Sequence, residues 1–392
     1  MATVQMPPLP SPHPAAGPAS LLSLSFPSDP QLSPGGERVA FVLTRVGEEN
    51  PQNPDPEFPK PRYKSRVQLW ADGKVRDLTL VEGRDSSPRW APDGRSLAVL
   101  SDRRGEPDKP GKNQVFLLPL DGGEARQLTR FETGVSELAF SPDGRYLSFL
   151  SRGDAVDRRD ERGEPRATES VRYRFNGRGM LPPESAALYL HDLQSGEASV
   201  WHAPASDITD YSWRPDSAGV LFVSSLSEED AAFWRQEVFE LPLGGEPRRL
   251  TRWAAPLSGL APHPDGERFA AVGRPPGSLN TEDPHPFLFT PDGEGRRLDP
   301  AWDFPAGNSV AGDLHVGAFP ERPVWTDPET LALSYTVGGS CGLFGVSLEG
   351  VVSPLLHHPE RVVSAFSLIG GGLAYLDESV TEPPEVYLNG RR

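Results

Sequence analysis

Apolar and polar residues alternate along this chain in short runs, and the turns that cut the runs recur. Leu97, Val99 and Ser101 point to one face of such a run while Ala98 and Leu100 point to the other, the alternation of a strand. Arg89-Trp90-Ala91-Pro92-Asp93-Gly94-Arg95 leads into it. The phrase returns as Ala139-Phe140-Ser141-Pro142-Asp143-Gly144-Arg145, followed by Tyr146-Leu147-Ser148-Phe149-Leu150. Looser copies stand at 31–42, 212–223, 261–272, 324–334 and 365–376, the last without its Pro and Asp but aligned through Ala365-Phe366-Ser367 and Gly370.

A second phrase falls between copies of the first. It reads Leu118-Pro119-Leu120-Asp121-Gly122-Gly123-Glu124-Ala125-Arg126-Gln127-Leu128-Thr129, and again Leu241-Pro242-Leu243-Gly244-Gly245-Glu246-Pro247-Arg248-Arg249-Leu250-Thr251. Weaker versions lie at 69–79, 190–202, 289–299, 346–356 and 387–392. Asp-Gly and Gly-Gly supply the positive φ of a tight turn, and a preceding Pro fixes φ near −65°, so each phrase predicts a hairpin. Two hairpins every 40–75 residues, roughly, make one four-stranded propeller blade. The expectation is an all-β chain: a seven-bladed β-propeller of four-stranded antiparallel blades over 21–392, its last blade incomplete at the C-terminus. The Pro- and Ala-rich stretch 1–20 reads as a mobile tail, and Leu21-Leu22-Ser23-Leu24 as a short helical lead-in.

Composition narrows the partners. A formal charge of −16 argues against nucleic acid, whose phosphates need clustered cations. One cysteine, Cys341, excludes an internal disulfide and fits a reducing compartment. No secretory leader and no long apolar span is visible, so a cytoplasmic protein with no membrane partner is expected.

Candidate chemistry is sparse. Gly338-Gly339-Ser340-Cys341-Gly342 has the letters of a nucleophile elbow, which places a serine between a strand and a helix. Here 331–337 and 343–348 both alternate as strands, and only Glu349 stands as an acid between Ser340 and the last histidines, His357 and His358, so Ser340 reads as part of a hairpin tip. His191, Asp192 and His202 fall on separate strand ends and lack metal-site spacing, and 154–164 mixes arginines into its acids; no metal and no cofactor is expected. The segment Val171-Arg172-Tyr173-Arg174-Phe175-Asn176-Gly177-Arg178-Gly179-Met180 sets three arginines among aromatics. Arg172, Arg174 and Arg178 are candidates for holding a carboxylate or peptide backbone, against a plainer role in ion pairs at a strand edge. Residues 45–66, with five prolines, read as an insertion in the first blade that could gate access.

Several phrases resemble the prolyl oligopeptidase family of serine peptidases, its acylaminoacyl-peptidase branch above all. They are Phe26-Pro27-Ser28-Asp29-Pro30-Gln31-Leu32-Ser33-Pro34, 172–180, Pro323-Val324-Trp325 and Val386-Tyr387-Leu388-Asn389-Gly390. The resemblance covers about 21–392; Tol-type periplasmic propellers share the Pro-Asp-Gly repeat alone. It implies a propeller that screens short peptides for a C-terminal α/β-hydrolase domain, the partner that carries the catalytic triad. No triad position exists in this chain, which ends near where the hydrolase would begin. Alone it is therefore expected to be inactive and to be a fragment of a longer product. A freestanding propeller that binds other proteins is the alternative.

Overall fold

The computed structural model describes residues 23–47, 62–79, 83–103, 111–154, 165, 173–175, 179–180, 184–278, 282–310 and 322–392. The tail 1–20, half of the 21–24 lead-in, the prolines of the 45–66 insertion and most of the 154–164 run lie outside them.

The regular structure of the described residues is almost entirely antiparallel strand. The first sheet orders β1 (Ser25–Leu32), β2 (Val39–Gly47), β3 (Arg62–Ala71) and β4 (Lys74–Asp77). The second repeats this with β5 (Asp85–Trp90), β6 (Ser96–Ser101), β7 (Gln114–Pro119) and β8 (Arg126–Gln127). Next come β9 (Ser136–Phe140) and β10 (Tyr146–Ser151), a small separate hairpin β11 (Arg174–Phe175) and β12 (Gly179–Met180), then β13 (Ala187–Asp192) and β14 (Ala198–His202). β9, β10, β13 and β14 form the third sheet.

The fourth has β15 (Asp210–Trp213), β16 (Gly219–Ser224), β17 (Glu237–Pro242) and β18 (Arg248–Arg249), with the short helix α1 (Glu228–Ala232) between its middle strands. The fifth has β19 (Leu257–Pro262), β20 (Phe269–Gly273), β21 (His285–Phe289) and β22 (Gly295–Arg297). A larger sheet holds two meanders. One is β23 (Val324–Asp327), β24 (Thr330–Val337), β25 (Ser340–Ser347) and β26 (Val352–Leu356); the last is β27 (Val362–Ile369), β28 (Gly372–Glu378) and β29 (Glu385–Leu388). They join at a single parallel bridge, Cys341 to Val362.

The first phrase folds as its letters predict. The carbonyl before each Pro-Asp-Gly accepts from the glycine three residues on: Gly94 to Ala91 and Gly144 to Ser141, at 2.8 and 2.9 Å. Gly94 and Gly144 sit at φ of 68° and 75°. The second phrase owes its Leu-Thr ending to strand pairing. Leu128 N–H closes onto Val115 O (2.8 Å), and Thr129 Oγ1 accepts from Val115 N–H (2.8 Å). Thr79 does the same for Val67 and Thr251 for Val238. Replacing Thr129 with Val keeps the volume and removes the acceptor. A loss of about 1–2 kcal/mol in urea unfolding is expected, the cost of stranding a buried amide; an unchanged midpoint would refute this role.

The core lies between sheets rather than within them. Leu69 and Val67 of the first sheet pack on Leu97, Val99 and Phe116 of the second. Leu188 and Leu150 of the third meet Phe222, Tyr211 and Leu241 of the fourth. Leu32, Val39 and Phe41 of the first sheet meet Ala374 of the last meander, and Leu32 N–H donates to Ser367 Oγ at 3.0 Å. Indole N–H groups link sheets in pairs: Trp90 to Gln31 O, Trp213 to Ser148 Oγ and Trp325 to Ala261 O, at 2.8–3.0 Å.

Candidate functional site

An antiparallel meander puts its first and third turns at one edge and its second turn, with the exit to the next sheet, at the other. All the Pro-Asp-Gly turns, and the Gly-Gly turns other than Gly338-Gly339, therefore share one face. The connections that follow Gly47, Ser101, Ser151, Ser224 and Gly273 all join a second strand to a third, so they leave their sheets at the opposite face. Every exposed aromatic side chain among the described residues belongs to that loop face as well. Tyr63 opens β3, Tyr173 precedes β11, Phe233 and Trp234 follow α1, and Phe304 lies on the way from β22 to β23. Surface apolar groups that gather on one side mark a contact surface more than groups that scatter.

The first strands of the sheets touch one another and carry polar groups where their outer neighbours are apolar. Asp29, Ser87, Glu137, Asp210, Gly259 and Arg322 each stand four residues before the residue that leads the turn. Asp29, Ser87 and Glu137 have φ of 48°, 52° and 50°, inside β-bulges that re-aim these residues. Arg89 pairs with Asp29 at 2.8 Å, tying the second sheet to the first. Asp210, 6% exposed, accepts from Leu260 N–H (2.8 Å) and pairs with Arg322 (2.7 Å). One carboxylate thus holds the fourth sheet, the fifth and the entry to β23 together. Arg322 also donates to Tyr211 O, and the Tyr211 hydroxyl donates to Glu137 O. Burial pushes the Tyr211 phenol well above its ordinary range, so it stays a neutral donor. Both guanidinium groups remain about one-third exposed.

The sequence-derived candidates fare unevenly. Arg174 sits exposed on β11, where it pairs with Met180 across the hairpin. Arg172 and Arg178 lie outside the described residues. His191 and His202 sit at opposite ends of the β13–β14 ladder, opposite Ala198 and Leu188. Burial lowers the affinity of both rings for a proton. Asp192 is taken by Arg145 at 3.0 Å.

Ser340 is the first residue of β25, across a two-residue Gly338-Gly339 turn from Val337. The structure adds a neighbour that spacing did not reveal, His357 Nε2 at 3.0 Å. The hydroxyl also stands 2.8 Å from Val337 O, and with its one proton given there it accepts from His357. That is the reverse of a base activating a nucleophile. No labelling of this chain by a fluorophosphonate is expected, and Ser340→Ala should cost only about 1 kcal/mol of stability. Labelling abolished by Ser340→Ala would reverse the reading.

Sequence reasoning missed the polar residues of the first strands, although their fixed distance from each turn was a usable signal. Among the described residues no helix is long and apolar enough to cross a membrane.

Comparison with known proteins follows this architecture. No family model matches the chain. It is 30% identical over 369 residues to the uncharacterized peptidase YuxL of Bacillus subtilis, covering 91% of this chain and 53% of that protein. The chain thus spans about half the length of this curated relative. Among solved structures it resembles an acylaminoacyl peptidase of Pyrococcus horikoshii (TM-score 0.67, 18% identity, 95% of this chain and 52% of that one). It also resembles the β-propeller domain of the Trilobed protease of Pyrococcus furiosus (TM-score 0.61, 16% identity, 93% and 95%). At such identities these two likenesses establish the propeller fold.

Proposed function

We propose that the chain is the substrate-gating propeller domain of a peptidase of the prolyl oligopeptidase family of serine peptidases. Its six complete or nearly complete repeats and its last three-stranded meander count as seven blades in this reading. The loop face packs against a catalytic α/β-hydrolase domain, and short peptides are screened between the two, in the cytoplasm. The single observation that carries this is that the exposed aromatics of the described residues gather on the face where the second-to-third strand connections leave the sheets. Aromatic groups gathered in this way fit a contact surface, whereas the exposed aliphatics Val75, Val351 and Ile369 lie at the other face. The partly exposed guanidinium groups of Arg89 and Arg322, with exposed Glu137, give the first strands a polar lining that a peptide backbone can pair with. Arg174, with Arg172 and Arg178, remains a further candidate contact for the peptide.

The test is the intact mass of the native product in its source cell, detected through a peptide from β6 or β10. A product heavier than 42.7 kDa by a whole hydrolase domain, and labelled by a fluorophosphonate, is expected. A product at 42.7 kDa that resists labelling would overturn the gating role and leave a protein-binding propeller.

A further inference from the structure

On the loop face of the fifth sheet, a cavity of about 500 Å³ is walled by Glu282, Asp283, His285, Phe287, Arg297 and Asp303. His285 opens β21 and is 8% exposed. Its Nδ1 lies 3.0 Å from Asp299 Oδ2, and Asp299 is fully buried behind it. Asp299 also takes Arg297 Nε at 2.7 Å and the Tyr335 hydroxyl at 2.8 Å. A carboxylate that already accepts from an arginine and a phenol is an anion with acceptors only, so His285 Nδ1 carries the ring proton. In the neutral ring the lone pair is left on Nε2, at the far edge of the ring from Asp299. Nε2 has no hydrogen-bond partner among the described residues, and the ring lines the cavity. An acceptor that opens onto a cavity takes its donor from whatever fills the space.

The charge of the walls selects that donor. Three carboxylates face the space, while the one lining cation, Arg297, is committed to Asp299 and to Trp302 O (2.6 Å). Arg274 stands nearby, spent on Glu282 O. An anion would meet net negative walls, and a neutral donor would leave the carboxylates unused.

We propose that this cavity binds a cationic organic group, a guanidinium or a primary ammonium. One N–H donates to His285 Nε2 and the charge lies against Glu282, Asp283 and Asp303. This stands whether or not the chain gates a peptidase. The group could come from a basic side chain or from a free amino terminus.

The test uses the 392-residue chain with its eight histidines ¹³C-labelled, the His285 ring resonance being identified by its loss in His285→Gln. N-acetyl-arginine amide and N-acetyl-lysine amide supply side-chain cations, glycine amide an amino terminus, and N-acetyl-citrulline amide a neutral isostere. A saturable shift of the His285 resonance with at least one cation and none with citrulline is expected. The double variant Glu282→Gln/Asp303→Asn changes only exposed positions. It should keep the melting temperature and weaken binding by about 3- to 10-fold. An equal shift with citrulline, no saturable shift with any cation, or unchanged affinity in the double variant would each overturn the proposal. Which cation shifts the ring tells side chain from amino terminus.

Discussion

Glu237→Ala is expected to lower the stability of the chain by about 3–5 kcal/mol, the cost of breaking a buried charge away from its partners. Glu237 opens β17 and is 2% exposed. Its carboxylate takes four donors: Arg249 Nη2 (2.8 Å), Thr251 Oγ1 (2.7 Å), Trp253 N–H (2.8 Å) and Ala254 N–H (3.2 Å). The last three belong to the connection that carries the chain from the fourth sheet to the fifth. Ala254 has a φ of 52°, so this carboxylate also holds a bend that an alanine would not choose. Truncation leaves amides buried without acceptors and Arg249 without its anion. Glu237→Gln keeps one acceptor oxygen and the shape, and should cost less than half as much. Urea unfolding of both variants checks this; a loss below about 1 kcal/mol in Glu237→Ala would show that water replaces the side chain.

The second large effect is expected at Trp213, with Trp213→Ala costing about 3–5 kcal/mol through the cavity it leaves. Its ring, 7% exposed, lies beside Trp201 at 5.2 Å and is stacked on Tyr146 at 6.4 Å. Its indole N–H meets Ser148 Oγ at 2.8 Å. Ser148 is fully buried and also donates to Ala139 O at 3.1 Å. Trp213→Phe keeps most of the apolar area and loses the donor, so about 1–2 kcal/mol is expected there. Equal losses in the two variants would assign the whole effect to the indole hydrogen bond and none to packing.

The contrast between these residues explains what the chain announced and what it hid. The turns were legible because each rests on a local rule: Pro92-Asp93-Gly94 and Gly338-Gly339 dictate their backbone within four residues. The Leu-Thr ending was legible as a pattern. Its reason, an amide of the third strand needing Thr129 Oγ1, emerges only once the strands are paired. The fifth sheet shows the rule by breaking it, for Pro286 has no amide to offer and Asp299 replaces the threonine there.

Contacts between sheets were not legible. Nothing in the spacing of Asp210 and Arg322 says that they meet, because the meeting is set by how the sheets stack. The same holds for Ser340 and His357, brought together by the pairing of β25 with β26. The β11–β12 hairpin and the bridge between the two last meanders also depend on placement rather than on any local rule.

The hydrogen bond from Leu32 to Ser367 joins residues 335 positions apart, whereas the meanders pair strands that follow one another in the chain. Local hairpins form cheaply, and a contact of such separation waits for everything between to be in place. Assembly is therefore a matter of rolling up units and then shutting a ring, and loosening begins where the ring was shut last. The Leu32 amide is the natural reporter of that seam: its hydrogen exchange should outpace that of Val99, in the heart of β6, under conditions where every sheet is still intact.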